Sequence, residues 1–139
     1  MHLEHSEALL FRMLVSFFGE DRVIPQMSVM AVCGGELPPK IKFPSLKGEA
    51  LNLWAKKNKC LFTVVDREDN PKMVVEFFSG FENFVNVTEA EHMQYLKPLL
   101  EAREISYITM SPGDFAEICS PDNRLDFFHW LKDKVSVPA

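Results

Sequence analysis

Residues 59–78 leave little choice of local structure. Lys59-Cys-Leu-Phe-Thr-Val-Val-Asp66 and Lys72-Met-Val-Val-Glu-Phe-Phe78 are two runs rich in Val and Phe, separated by the polar Arg67-Glu-Asp-Asn-Pro71. Branched and aromatic side chains suit a pleated surface, whereas Asp, Asn and Pro favour the reversal between two strands. The pattern predicts a β-hairpin. One residue breaks it: Glu76 lies between Val75 and Phe77, where a carboxylate is costly to bury without a partner.

A turn centred on Asp69-Asn70 makes opposed residue numbers sum to about 139, so that Asp66 faces Met73, Thr63 faces Glu76 and Leu61 faces Phe78. Side chains alternate along a strand. One face then carries Leu61, Thr63, Val65, Val74, Glu76 and Phe78, and the other Phe62, Val64, Val75 and Phe77. In this register Asp66 is three residues, about 10 Å, from the position opposite Glu76. That is too far for the two to share one ion.

Before the hairpin, Leu9, Leu10, Met13, Leu14, Phe17 and Phe18 fall at helical spacing and Gly19 supplies a stop. Residues 22–32 read as an extended, edge-like segment limited by Pro25. Gly34, Gly35, Pro38, Pro39 and Pro44 mark a loop, and Leu51, Leu53 and Trp54 a short helical turn. Beyond the hairpin, Thr88 and Glu91 form a capping-box pattern ahead of a stripe of Met93, Leu96, Leu99 and Leu100, which Pro98 is expected to kink or interrupt. Residues 105–110 predict another strand, and residues 124–134 a last helix with Leu125, Phe128 and Leu131 on one side. With no linker or repeat in 139 residues, the expectation is a single α/β domain spanning 1–139: a mixed central sheet, with its hairpin at about 60–78, flanked by helices.

Composition narrows the function classes. A net charge of −5 argues against nonspecific coating of nucleic acid, which needs a surplus of Lys and Arg. Three cysteines (Cys33, Cys60, Cys119) without a Cys-x-x-Cys pair indicate neither a zinc ribbon nor a disulfide framework, and fit reduced thiols in the cytoplasm. The polar N-terminus is unlike a signal peptide, and no apolar run is long enough to span a bilayer, so no membrane partner is expected.

The helix containing Glu7-Ala-Leu-Leu-Phe-Arg-Met-Leu14, the Val23-Ile-Pro-Gln-Met27 segment, the hairpin ending in an acid, and the run from Gln94-Tyr-Leu to Ile108 together resemble the restriction-endonuclease-like superfamily, whose nucleases carry a PD-(D/E)xK motif. The likeness covers about residues 6–118 and is greatest to a bacterial branch of unknown function. It implies a restriction-endonuclease-like fold. In such nucleases a carboxylate on each hairpin strand holds Mg²⁺, and a Lys two residues past the second assists the attacking water. By the resemblance Glu76 is the second-strand acid, the first-strand acid falls at Leu61 or Thr63, and the Lys falls at Phe78. Two of three chemical positions are therefore apolar or neutral. The implied function is a catalytically degenerate nuclease-like module, with Glu76 vestigial, that binds DNA or a protein partner in bacterial DNA processing or a mobile element. No cofactor is then required. One alternative is an active Mg²⁺-dependent nuclease whose missing carboxylate comes from Glu7 or Glu82, with Glu76 as metal ligand. Another is a protein-interaction or self-associating subunit with no nucleic-acid role.

The remaining candidates have plainer readings beside the sharp ones. Glu76 reads equally as a strand carboxylate reaching solvent or a structural Arg. Gln26 and Glu7 are site neighbours by resemblance, but also a polar strand residue and an acid suited to a helix N-terminus. Lys56, Lys57 and Lys59 form the clear basic cluster and the candidate nucleic-acid contact; a solvated turn is the alternative. Arg12 reads as a surface residue. His2, His5, His92 and His129 show no zinc-like spacing. Ser111-Pro-Gly113 lacks the form of a nucleophile elbow, and Cys60 reads as a buried thiol. Phe77, Phe78, Phe81 and Phe84 are either core or an exposed partner-binding surface.

Overall fold

The hairpin forms, but two residues away from the expected register. In the computed structural model, which describes residues 5–39, 41, 43, 49–77 and 87–110, β2 (Lys59–Val65) and β3 (Pro71–Phe77) pair antiparallel with Phe62 opposite Val75, Thr63 opposite Val74 and Val64 opposite Met73. The cause lies in the turn. Asp66 Oδ1 accepts from the backbone N–H groups of Glu68 (2.9 Å) and Asn70 (3.0 Å), and Asp66 N–H donates to Asn70 O at 2.9 Å. The loop therefore closes from Asp66 to Asn70 around its own first side chain, with Asp69 in the left-handed region (φ 65°). Such Asx geometry is a turn in its own right. It displaces the centre towards Glu68 and brings Leu61, not Thr63, level with Glu76.

Two further strands complete a mixed sheet in the order β1-β2-β3-β4. β1 (Val23–Ser28) runs antiparallel to β2, and β4 (Ser106–Met110) runs parallel to β3. Pro25 is accommodated because, among the described residues, β1 has β2 as its one neighbour in that sheet, leaving the other side of the strand with no ladder bond there to donate. Helix α1 (His5–Phe18) covers one face. Leu10, Met13 and Leu14 pack there against Phe62, Val64, Met73, Val75, Ile108 and Met110. Gly19, at φ 99°, ends the helix and turns the chain into a short 3₁₀ segment, Glu20–Arg22. Arg22 Nε then donates to Val65 O at 2.9 Å.

The opposite face is covered by α2 (Val29–Val32), α3 (Glu49–Lys57) and α4 (Val87–Ala102). Val29, Val32, Ala55, Leu96, Leu99 and Leu100 pack there with Cys60 and Val74. The segment at Leu51–Trp54 is thus a nine-residue helix rather than a single turn, stabilised by burial of Leu51 and Ala55. In α4 the capping signal is offset: the helix begins at Val87, so Thr88 lies inside it. Nor does Pro98 end it. The helix runs on to Ala102, because burial of Leu96, Leu99 and Leu100 on the sheet offsets the one lost backbone bond. It closes with Ile105 N–H on Leu100 O (2.9 Å) and Glu104 N–H on Glu101 O (3.0 Å), a Schellman ending in which Glu104 (φ 59°) takes the left-handed position usually given to Gly.

The described residues thus form a mixed α/β fold: a four-stranded mixed sheet with helices on both faces. The expected helix at 124–134, the segment 81–86, Ser111-Pro-Gly113, Cys119, His2, His129 and the Phe78, Phe81 and Phe84 positions lie outside the described residues.

Candidate functional site

Glu76 is buried, with 8% of its surface exposed, and neither solvent nor an arginine is what it meets. Strand alternation turns it towards α4, on the same side as Val74 and opposite to Val75. Three elements bring donors to it. From β4, Tyr107 O–H donates to Oε1 at 2.5 Å. From α4, His92 Nε2 sits 3.0 Å from Oε1 and 2.8 Å from Oε2. From β2, Leu61 N–H donates to Oε2 at 3.2 Å. An ionised carboxylate only accepts, so the hydrogen of the imidazole contact belongs to Nε2.

The Leu61 bond has a structural origin. Paired residues in the hairpin run from Val65 and Pro71 to Phe62 and Val75; at the next step the side chain of Glu76 takes the strand N–H. On the other side of Leu61, Gln26 has φ 54°, and the β1–β2 register passes from Pro25↔Phe62 to Met27↔Cys60 without pairing Gln26. Here the simple alternation of β2 breaks. Leu61 packs with the α1 side of the sheet, while Cys60 and Met27 join the α4 side. Left-handed backbone costs a non-glycine residue about 1–2 kcal/mol, so Gln26 stores strain one strand away from Leu61.

An aromatic series buttresses the imidazole. The Trp54 ring of α3 lies 5.9 Å from that of His92 at 46°. Trp54 in turn meets Tyr95 edge-on at 5.3 Å, and Tyr95 meets Phe43 edge-on at 4.9 Å. His92, Tyr95, Leu96 and Leu99 follow helical spacing on α4, so the stripe that anchors the helix also delivers the histidine.

Two neighbouring groups respond electrostatically. Burial, then the negative charge of Glu76 and its hydrogen bond, push the Tyr107 phenol well above its ordinary range. Burial, with Glu76 and then Cys33 adding to it, pushes the Cys60 thiol up as well. Cys60 is fully buried and held as neutral thiol, which suits packing and not attack. A thiol that stays protonated when folded but ionises when unfolded makes stability fall as pH rises above the unfolded value, because the native state then binds more protons. Chemical denaturation between pH 8 and 10.5 is therefore expected to show a loss to which Cys60 contributes up to about 1.4 kcal/mol per pH unit at the alkaline end, with Tyr107, held protonated in the same way, adding to it as the pH nears the ordinary phenol range. Cys60→Ala should flatten that slope, even though it lowers stability at neutral pH.

The other sequence candidates are distributed unevenly about this cluster. Gln26 is half-buried on the edge strand beside Leu61. Lys56 and Lys57 are exposed in the last turn of α3, and Lys59 is exposed at the start of β2, two residues before Leu61. The basic cluster thus shares an end of the sheet with Glu76, and among the described residues none of the three lysines is in an ion pair. Cations in a last turn also complement the helix dipole. Glu7 is in the first turn of α1, the helix on the opposite face from His92 and Tyr107. With the observed register, Asp66 is five residues from the position opposite Glu76, about 16 Å along the strand. Thr63 is fully buried against the Val74 position, and its Oγ1 has no hydrogen-bond partner among the described residues. Among those residues no group of three or more His, Cys, Asp and Glu side chains lies together as a metal site.

His92 and Tyr107 are the site residues that sequence reasoning missed. His92 has no zinc-like spacing to the other histidines; the usable signal is its place one turn ahead of Leu96 in the buried stripe. Tyr107 alternates with Ile108 and Met110, which marks it for the face of the sheet away from α1.

No family model, no curated protein and no solved structure matches the chain. Among the described residues no helix is long and apolar enough to cross a membrane.

Proposed function

We propose that this chain is a catalytically degenerate nuclease-like module of restriction-endonuclease-like fold, acting by binding nucleic acid and not by cutting it. With α2 and α3 standing between β1 and the hairpin as additions, the remaining order of helix, strand, hairpin, helix and strand is the order that the superfamily resemblance implies. The observation that carries the reading is that three donors of the chain itself converge on Glu76, one of them shared between its two oxygens. A carboxylate offers about four acceptor directions. Here Tyr107 and His92 engage Oε1, while Leu61 and His92 engage Oε2. The imidazole Nε2, astride both oxygens, stands where a cation held by this carboxylate would stand. Across the hairpin the level position is Leu61, and two residues on is Phe78. The acid supports the fold, and the residues a hydrolytic site needs around it are apolar.

Lys56, Lys57 and Lys59 supply the phosphate contact in this reading. Their exposure in an otherwise acidic chain fits a local contact better than a general coating. The test pairs cleavage with binding. Plasmid and single-stranded DNA incubated with the chain in Mg²⁺ or Mn²⁺ should remain intact. A labelled oligonucleotide should be retained in a salt-dependent way. Replacing the three lysines by alanine should lower the salt slope by about 2–3, at about 0.7–0.9 per lost phosphate contact. Cleavage abolished by Glu76→Gln would identify an active enzyme and overturn the reading. Absence of binding together with a stable self-complex would replace it with an interaction subunit.

A further inference from the structure

We draw no further inference here: the strongest candidate, the Glu76–His92–Tyr107 cluster beside the Trp54 ring on the α4 face of the sheet, belongs to the site already described.

Discussion

Replacing Glu76 by alanine is expected to lower stability by about 2–4 kcal/mol, measured as the shift in free energy of urea unfolding at neutral pH. The change removes the shared acceptor of the Tyr107 hydroxyl, the Leu61 N–H and the His92 imidazole. Stranding a buried donor costs about 1–3 kcal/mol, and breaking a buried charged contact about 3–5. The lower range applies because the His92 side chain retains 19% exposure and can rehydrate. Glu76→Gln keeps the volume and one acceptor oxygen, so roughly half the loss is expected. A double-mutant cycle with His92→Ala should return a coupling of about 0.5–3 kcal/mol, the range for residues in one hydrogen-bonded network. A loss within 0.5 kcal/mol, the size typical of surface substitutions, would mean that the carboxylate is not a structural clasp.

A larger effect is expected from the other face of the same hairpin. Phe62 is fully buried on the central strand β2, its ring centroid 5.4 Å from that of Phe11 on α1. Phe62→Ala should cost about 3–5 kcal/mol through lost burial and the cavity left behind. Against a total of about 5–15 kcal/mol for a domain of this size, that is a large fraction of the stability, visible as a strongly lowered midpoint in the circular dichroism melt. Phe62→Leu, which keeps the position apolar, is expected to cost much less. If Phe62→Ala melted like the parent, the assignment of hairpin faces would be wrong.

The hairpin was legible because its residues obey two local rules at once, period-two patterning and turn chemistry. Its faces were legible in part: Phe62, Val64 and Val75 do pack together against α1, but Leu61, expected on the face of Glu76, packs on that side as well, where the alternation of β2 breaks. The register was not, since it depends on the Asp66 side chain capturing two backbone N–H groups, a choice the Asn-Pro pair does not reveal. Glu76 announced itself as an anomaly, but its partners lie 16 and 31 residues away. Neither His92 nor Tyr107 carries a local signature of that role; each reaches Glu76 only once α4 and β4 are laid against β3. The run of α4 through Pro98 is likewise a tertiary override, because sheet burial of one apolar stripe outweighs the local cost of a proline.

The central claim is that the acceptor capacity of Glu76 is used by the chain itself. Its most direct test is thermal unfolding of the parent and of Glu76→Gln across a series of MgCl₂ and MnCl₂ concentrations at fixed ionic strength. A cation bound to the native state at tenfold its dissociation constant would add about 1.4 kcal/mol. The account predicts that the two proteins differ by a constant offset at every concentration. A cation-dependent rise in the parent that Glu76→Gln lacks would contradict it.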